Sequence, residues 1–224
     1  MAARLYGFHR WPLSPKLLMS LPGERQLREF VLKEGPSELT RYWRSQRHEK
    51  RAGWLSWIRR DGTTRVARIT HKLYVSPVPT AVREALRVVV PELTQSECFH
   101  FKVGATPAEL ARPDKLVAYF HDREETLRVA ARIAVRLHAL PAHGVPFSCA
   151  IDGRTLLSWG VDPPHRPEAR VSWRKWLCAE LAHAITQDAS GNGVAAARSR
   201  LEALGVDPES WEPVPGLWER HGPE

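Results

Sequence analysis

Cysteine and methionine are both scarce in this chain of 224 residues, with three of the first, Cys98, Cys149 and Cys178, and two of the second. An odd number of cysteines without metal-type spacing argues against a disulfide framework or a zinc site, so each reads as a small buried apolar residue. No run approaches the roughly twenty apolar residues a membrane span needs, and the N-terminus lacks the charged, apolar and small-residue order of a secretion signal. The expectation is a cytoplasmic protein with no membrane association. Also missing are a Gly-rich phosphate loop, a His-x-x-x-His pair and a Gly-x-Ser-x-Gly elbow, which removes the usual nucleotide, zinc-hydrolase and serine-hydrolase readings. No internal repeat or low-complexity tract interrupts the chain. No metal or other cofactor is expected.

Acidic residues are outnumbered, 25 against 33 Lys and Arg, which gives a formal charge of +8. Such a balance calls for an anionic partner: nucleic acid, a phosphorylated substrate or an acidic peptide. Between Arg41 and Lys72 ten Lys and Arg face two acidic residues, interleaved with Tyr42, Trp43, Trp54 and Trp57. Basic residues among aromatics can hold single-stranded nucleic acid, but no helix-turn-helix, zinc-finger or ribonucleoprotein signature accompanies them.

The pattern from His71 to Phe120 predicts strand, helix, strand, loop, strand. His71 to Ser76 alternates polar and apolar residues and stops at Pro77 and Pro79. Val82, Ala85, Leu86, Val89 and Leu93 recur at helical steps. Phe99 to Val103 alternates again, as does Lys115 to Phe120. Lys72, Lys102 and Lys115 lie at or near strand starts, and desolvating an ammonium is costly without a partner, so these lysines either face water or await an anion such as phosphate.

Before this stretch, residues 1–24 read as an irregular wrap. A short helix is expected from Glu24 to Lys33, carrying Leu27, Phe30 and Val31, and another from Ser37 to about Arg51. A hairpin turning at Asp61-Gly62 joins Trp54 to Ile58 with Thr64 to Ile69. After it, a helix from Asp122 to Leu140 should bury Leu127, Ala130, Ala131, Ala134, Val135 and Leu137. An extended segment follows at Gly144 to Ser148, then a strand at Leu156 to Gly160, and a helix from Trp173 to Gln187 capped by Ser172. A last helix should run from Arg198 to Leu204, with a loosely held tail beyond Pro208. Asp152, Asp162 and Asp207 sit beside Gly or Pro and read as turn residues. The fold class is α+β, a largely antiparallel sheet flanked by helices with an N-terminal helix and hairpin layer. The expected division is a basic extension at 1–70, an α+β core at 71–190, and a C-terminal helix and tail at 191–224.

Taken together, Lys72-Leu73-Tyr74-Val75-Ser76, Phe99-His100-Phe101-Lys102-Val103, Arg112 and Lys115-Leu116-Val117-Ala118-Tyr119 resemble the phosphothreonine lyases, type III effectors that also supply the lyase domain of class III lanthipeptide synthetases. The wording is closer still to the HopA-type effector family found in class V lanthipeptide and thioamitide gene clusters. Gly144-Val145-Pro146-Phe147-Ser148, Val161-Asp162-Pro163 and Ser172-Trp173-Arg174 look like later elements of that family. The likeness spans roughly Lys72 to Ala182.

The resemblance implies β-elimination of phosphate from phosphothreonine or phosphoserine in a peptide, leaving a dehydroamino acid. A base must take the α-proton, and Lys102 matches the family's base. Cations must hold the phosphate; Lys72, Arg112, Lys115, Arg170 and Arg174 are the matching or nearest positions. An acid must protonate the leaving group, and the lyases use histidine where this chain has Tyr74; His100, on the same sheet face as Lys102, is a substitute. The partners implied are a phosphorylated peptide or protein and a kinase that prepares it. Two alternatives stand beside this reading, a non-catalytic phosphopeptide- or partner-binding module of the same fold and a basic nucleic-acid binder.

Overall fold

A computed structural model of the chain describes residues 1–30, 37–46, 53–61, 69–151, 153, 155–164 and 171–218. Its centre is one antiparallel sheet of seven strands, β1 Trp43–Ser45, β2 Trp54–Arg59, β3 Thr70–Val75, β4 His100–Gly104, β5 Leu116–Phe120, β6 Cys149–Ala150 and β7 Leu157–Asp162, in the order β1-β2-β4-β5-β3-β7-β6. The α+β class follows from this sheet and the helices packed on it.

Alternation decides what each face carries. Leu73 and Val75 of β3, Phe101 and Val103 of β4, and Leu116, Ala118 and Phe120 of β5 turn to one side and are fully buried. Two helices cover that side, α5 Val82–Thr94 and α7 Arg123–Arg136. The apolar set read from the α5 sequence, Val82, Ala85, Leu86, Val89 and Leu93, is buried, together with Val90. Each buried Val or Leu side chain contributes roughly 1.5–3 kcal/mol relative to exposure. The two helices are tied by Glu92 of α5, whose carboxylate receives Arg132 and Arg136 of α7 at 2.8 Å each.

Helix α7 buries Ala130 and Leu137 and half-buries Leu127 and Ala134 as its sequence suggests, but two of the expected residues turn outward. Thr126, Val129, Ala130, Ile133 and Leu137 face the sheet, whereas Ala131 is exposed and Val135 is 74% exposed. Placing Arg132 and Arg136 against Glu92 fixes the helix about its axis, and the β-branched Val129 and Ile133 take the sheet.

Three other expectations are corrected. The helix expected from Ser37 to about Arg51 is α4 Glu38–Tyr42, after which the chain becomes β1. The reason is Trp43, which is buried edge-on against Phe101 at 4.7 Å and donates its indole N–H to Thr94 Oγ1 at 2.8 Å. Residues 1–24 contain two short helices, α1 Ala2–Tyr6 and α2 Pro15–Ser20. The tail is held as well: Leu217 is buried, and the Trp218 indole donates to Val161 O at 3.2 Å.

Helix α3 Glu24–Glu29 buries Leu27 and the adjoining Phe30 as expected. Residues 64–68 of the expected strand partner of β2, and Val31, fall outside the described residues. Short α6 Pro107–Leu110 leads into β5, and α8 Trp173–Gln187 and α9 Gly193–Ala203 pack on each other. All three cysteines are free and buried.

Candidate functional site

On the face opposite α5 and α7, the strand register lines up two rows of side chains. One row runs Ser56, Lys102, Val117, Tyr74, Ser158, and the next runs Ile58, His100, Tyr119, Lys72, Gly160. Lys102 and Tyr74 therefore stand two strands apart across Val117, roughly 10 Å between Cα atoms at the usual strand spacing. That is a span which two long side chains and a phosphorylated residue between them can close.

Above this face sits a cluster of arginines organised by an acid. Arg112, in the turn before β5, lays Nε on Asp114 Oδ1 at 2.8 Å and Nη2 on Oδ2 at 2.9 Å. Arg174, in the first turn of α8, turns inward instead of facing water; it is 1% exposed, and its Nη1 lies 3.0 Å from Asp114 Oδ2 without an aligned hydrogen bond. Its Nε donates to Pro146 O at 2.9 Å. Between the two guanidiniums lies the Tyr6 ring from α1, 5.4 Å from Arg112 Cζ and 5.0 Å from Arg174 Cζ. Its hydroxyl accepts from Arg112 Nη2 at 2.8 Å and donates to Asp114 Oδ2 at 3.3 Å.

Burial works against ionising Asp114, but the Arg174 charge, the Arg112 hydrogen bond and the nearby Lys102 ammonium outweigh it and hold the carboxyl well below its ordinary range. Burial first and the Asp114 charge second push the Tyr6 phenol up. Lys102 Nζ stands 4.0 Å above the Trp54 ring, a ring it shares with Arg112 at 5.3 Å. Cation–π contacts and one carboxylate thus gather three cations that would otherwise repel.

A second carboxylate holds the fourth. Lys72 Nζ lies 2.7 Å from Asp162 Oδ2 and over the Tyr119 ring at 5.2 Å. The other oxygen of Asp162 accepts the Trp173 N–H at 2.8 Å, which fixes the start of α8 and with it the direction of Arg174. Asp162 is therefore a structural and electrostatic centre, and its expected role as a turn residue is corrected. Gly160 makes the approach possible: a Cβ there would meet the Trp173 ring at 2.4 Å.

Of the residues singled out from sequence, Lys72, Tyr74, His100, Lys102, Arg112 and Arg174 come to this side of the sheet. Tyr74 is buried, and burial, followed by the Asp162 charge, raises its phenol well above the ordinary value. His100 is hydrogen-bonded to Ser56 Oγ at 2.6 Å and stacked on Tyr119 at 4.5 Å. Lys115 goes elsewhere: its Nζ donates to His143 Nδ1 at 2.7 Å, Pro77 O at 2.9 Å and Ser76 Oγ at 3.4 Å. Arg170 lies outside the described residues.

Tyr6 and Asp114 have no reading in the sequence, Trp54 and Tyr119 read only as parts of wider patterns and Asp162 only as a turn residue and motif member; the Arg112-Pro113-Asp114-Lys115 alternation of charge is the local hint of Asp114. Among the described residues no group of His, Cys, Asp and Glu is placed to hold a metal ion. No described helix is long and apolar enough to cross a membrane.

No protein-family model matches the chain, and no curated protein matches it in sequence. In three dimensions it matches the effector protein from Pseudomonas syringae pv. syringae strain 61 at a TM-score of 0.55, with 13% identity over 95% of this chain and 90% of that one. The effector protein from Pseudomonas syringae pv. tomato strain DC3000 matches at 0.52, with 12% identity over 94% and 88%. The chain has the fold of these effectors. The type III effector and phosphothreonine lyase OspF from Shigella flexneri is also a structural neighbour, at a TM-score of 0.42 and 13% identity over 70% of this chain and 86% of that one.

Proposed function

We propose that this chain is a phosphothreonine- or phosphoserine-directed lyase-like protein, eliminating phosphate from a phosphorylated peptide to leave a dehydroamino acid. The observation that carries the reading is the convergence of Lys102, Arg112 and Arg174 around one acid, with Tyr74 in the row of Lys102 and Lys72 in the next. In this scheme the Lys102 ammonium first gives up a proton to solvent, and the neutral amine then takes the α-proton. The electron pair of that C–H bond becomes the Cα=Cβ bond, and the Cβ–O bond breaks with its pair leaving on the phosphate oxygen. Arg112, Arg174 and Lys72 hold the phosphate and the charge that grows on it. Tyr74 hands a proton to the departing oxygen. Burial makes this phenol a weaker acid than a free tyrosine, and the cations on the phosphate lower the demand on it by carrying part of the charge of the leaving group.

Asp114 and Asp162 place the guanidiniums and the Lys72 ammonium, so that the phosphate meets cations that are already oriented. A kinase supplies the phosphorylated residue, and maturation of a ribosomally made lanthipeptide-type precursor is the setting the motif resemblance supports. One feature supports a second reading, a phosphopeptide-binding module without turnover: Tyr74 is deeply buried and stands where the lyases have histidine.

Mass spectrometry of phosphothreonine and phosphoserine peptides incubated with the protein separates the two. Loss of the mass of phosphoric acid with the wild type and not with Lys102→Ala is the expected result. Saturable binding without mass loss identifies the binding module, and retained elimination in Lys102→Ala removes the assignment of the base.

A further inference from the structure

A pocket of about 430 Å³ adjoins the arginine cluster. Its floor includes Ser158, which pairs across the sheet with Tyr74. The residue after α1 that enters its wall, Phe8, lies two positions from Tyr6 of the cluster, and the wall residue Pro146 is the one whose carbonyl Arg174 holds. The pocket and the cluster are thus neighbouring compartments on one sheet face.

Its backbone is unusual. Among the described residues, the non-glycine positions with positive φ are His9 at 65°, Phe147 at 60°, Thr155 at 63° and Trp211 at 63°, and all four line this pocket. Each such conformation costs of order 1 kcal/mol for a residue with a Cβ. Three separate parts of the chain, around His9, Phe147 to Thr155 and Trp211, bring this strain to one pocket, which points to its shape as the thing being maintained.

The lining also says what the space accepts. The His9 and His143 rings lie 4.9 Å apart and exchange hydrogen bonds with each other's backbone, His9 Nε2 to His143 O at 2.7 Å and His143 Nε2 to His9 O at 2.6 Å. Ser148 Oγ donates to Ser158 Oγ at 2.8 Å. With these polar groups satisfied internally, the rings set the chemistry: Phe147 meets Trp211 edge-on at 5.3 Å, and Phe8 stands 60% exposed in the wall. Glu209 at the rim is already paired with Arg198, so the rings dominate what remains, and an aromatic or branched aliphatic side chain would find their edges and faces.

We propose that this pocket is a subsite for an apolar, preferably aromatic, side chain of the phosphorylated peptide, one or two residues from the phosphorylated position. The inference rests on the reading of the arginine cluster as a phosphoresidue site. Adjacent strands are about 4.8 Å apart and an extended peptide advances about 3.3 Å per residue, which sets that one- or two-residue offset.

The test uses the full chain and short phosphothreonine peptides in which each of the two positions on either side is Gly or Phe, followed by calorimetric titration and timed mass spectrometry. At one position Phe should improve affinity or kcat/KM by at least about ten-fold. Ala150→Trp, which fills the pocket from β6, should reduce that preference to within about two-fold while the all-Gly peptide behaves as with wild type. Trp211→Gly removes one wall and relieves its positive φ, giving a second folded variant with the same expected loss. Equal treatment of all peptides by the wild type, a preference that survives in both variants, or absence of any binding would each overturn the subsite. A Phe preference in binding without loss of phosphate keeps the subsite and removes the lyase reading. Loss of phosphate without preference does the reverse.

Discussion

Lys72 and Asp162 form a 2.7 Å ion pair with side chains only 8% and 12% exposed, on neighbouring strands that the sequence keeps far apart. Each has been taken largely out of water, so the pair matters most when one half is removed. Asp162→Asn retains an oxygen for the Trp173 N–H but leaves the Lys72 ammonium with a neutral neighbour. A destabilisation of about 3–5 kcal/mol is expected for breaking a buried pair in this way. Adding Lys72→Met should recover part of it, since the stranded charge goes too. Urea unfolding of the two single variants and the double variant completes the cycle, and strictly additive losses would show that the two side chains do not interact.

Gly160 faces Lys72 across the sheet, and its missing Cβ is where the Trp173 ring lies. Gly160→Ala forces a methyl to within 2.4 Å of ring carbon, and a strand and a helix start must part to admit it. Overpacking of this kind costs typically 1–3 kcal/mol, so a lower denaturation midpoint is expected, with a larger fractional loss of phosphopeptide affinity because α8 carries Arg174. An unchanged midpoint would mean that Trp173 has room to move.

The Lys115–His143 contact gives stability a pH dependence with two separate windows. Burial, then the Lys115 charge, pushes His143 down to about 3, and burial pushes Lys115 down to about 7. From about pH 6.5 down to about 3 the unfolded imidazole takes a proton that the folded one refuses, so stability falls as pH falls, by at most about 1.4 kcal/mol per unit. From about pH 7 up to about 10.5 the unfolded lysine keeps a proton that the folded one has lost, so there stability rises with pH. Denaturant midpoints across both ranges test this. His143→Gln should flatten the acid limb and Lys115→Met the alkaline limb. A wild-type midpoint that does not rise between about pH 7 and 10 would show that the three acceptors around Nζ keep the ammonium charged.

These residues also mark where sequence reading reaches its limit. The strands β3, β4 and β5 and helix α5 were legible because alternation and helical recurrence are local, and a single buried face imposes them. The pairing order β2-β4-β5-β3-β7 was not, since it depends on contacts between segments far apart. Lys102 and Lys115 looked equivalent as lysines near strand starts, yet Lys102 lies within its strand and faces the cluster, while Lys115 precedes its strand and is drawn under Pro77 and His143. Asp162, followed by two prolines, carried a turn signature that concealed a lysine partner and a helix cap. Tyr6 carried no signal at all, because nothing local in α1 says that it enters an arginine pair.

Tyr74 is the residue on which the chemistry turns. Its ring packs with Val117 and Val145, so Tyr74→Phe keeps the packing and removes only the hydroxyl. If that hydroxyl donates the proton to the departing phosphate, kcat should fall by about 10²–10⁴-fold with KM little changed, the range a lost general acid typically costs. His100 is engaged with Ser56 and Tyr119, and His100→Asn should act mainly through local packing and lower kcat much less. Single-turnover rates with one phosphothreonine peptide compare the two directly. A large loss in His100→Asn with a near-normal Tyr74→Phe would move the acid to the imidazole, and the hydrogen bond between it and Ser56 would then be what orients it.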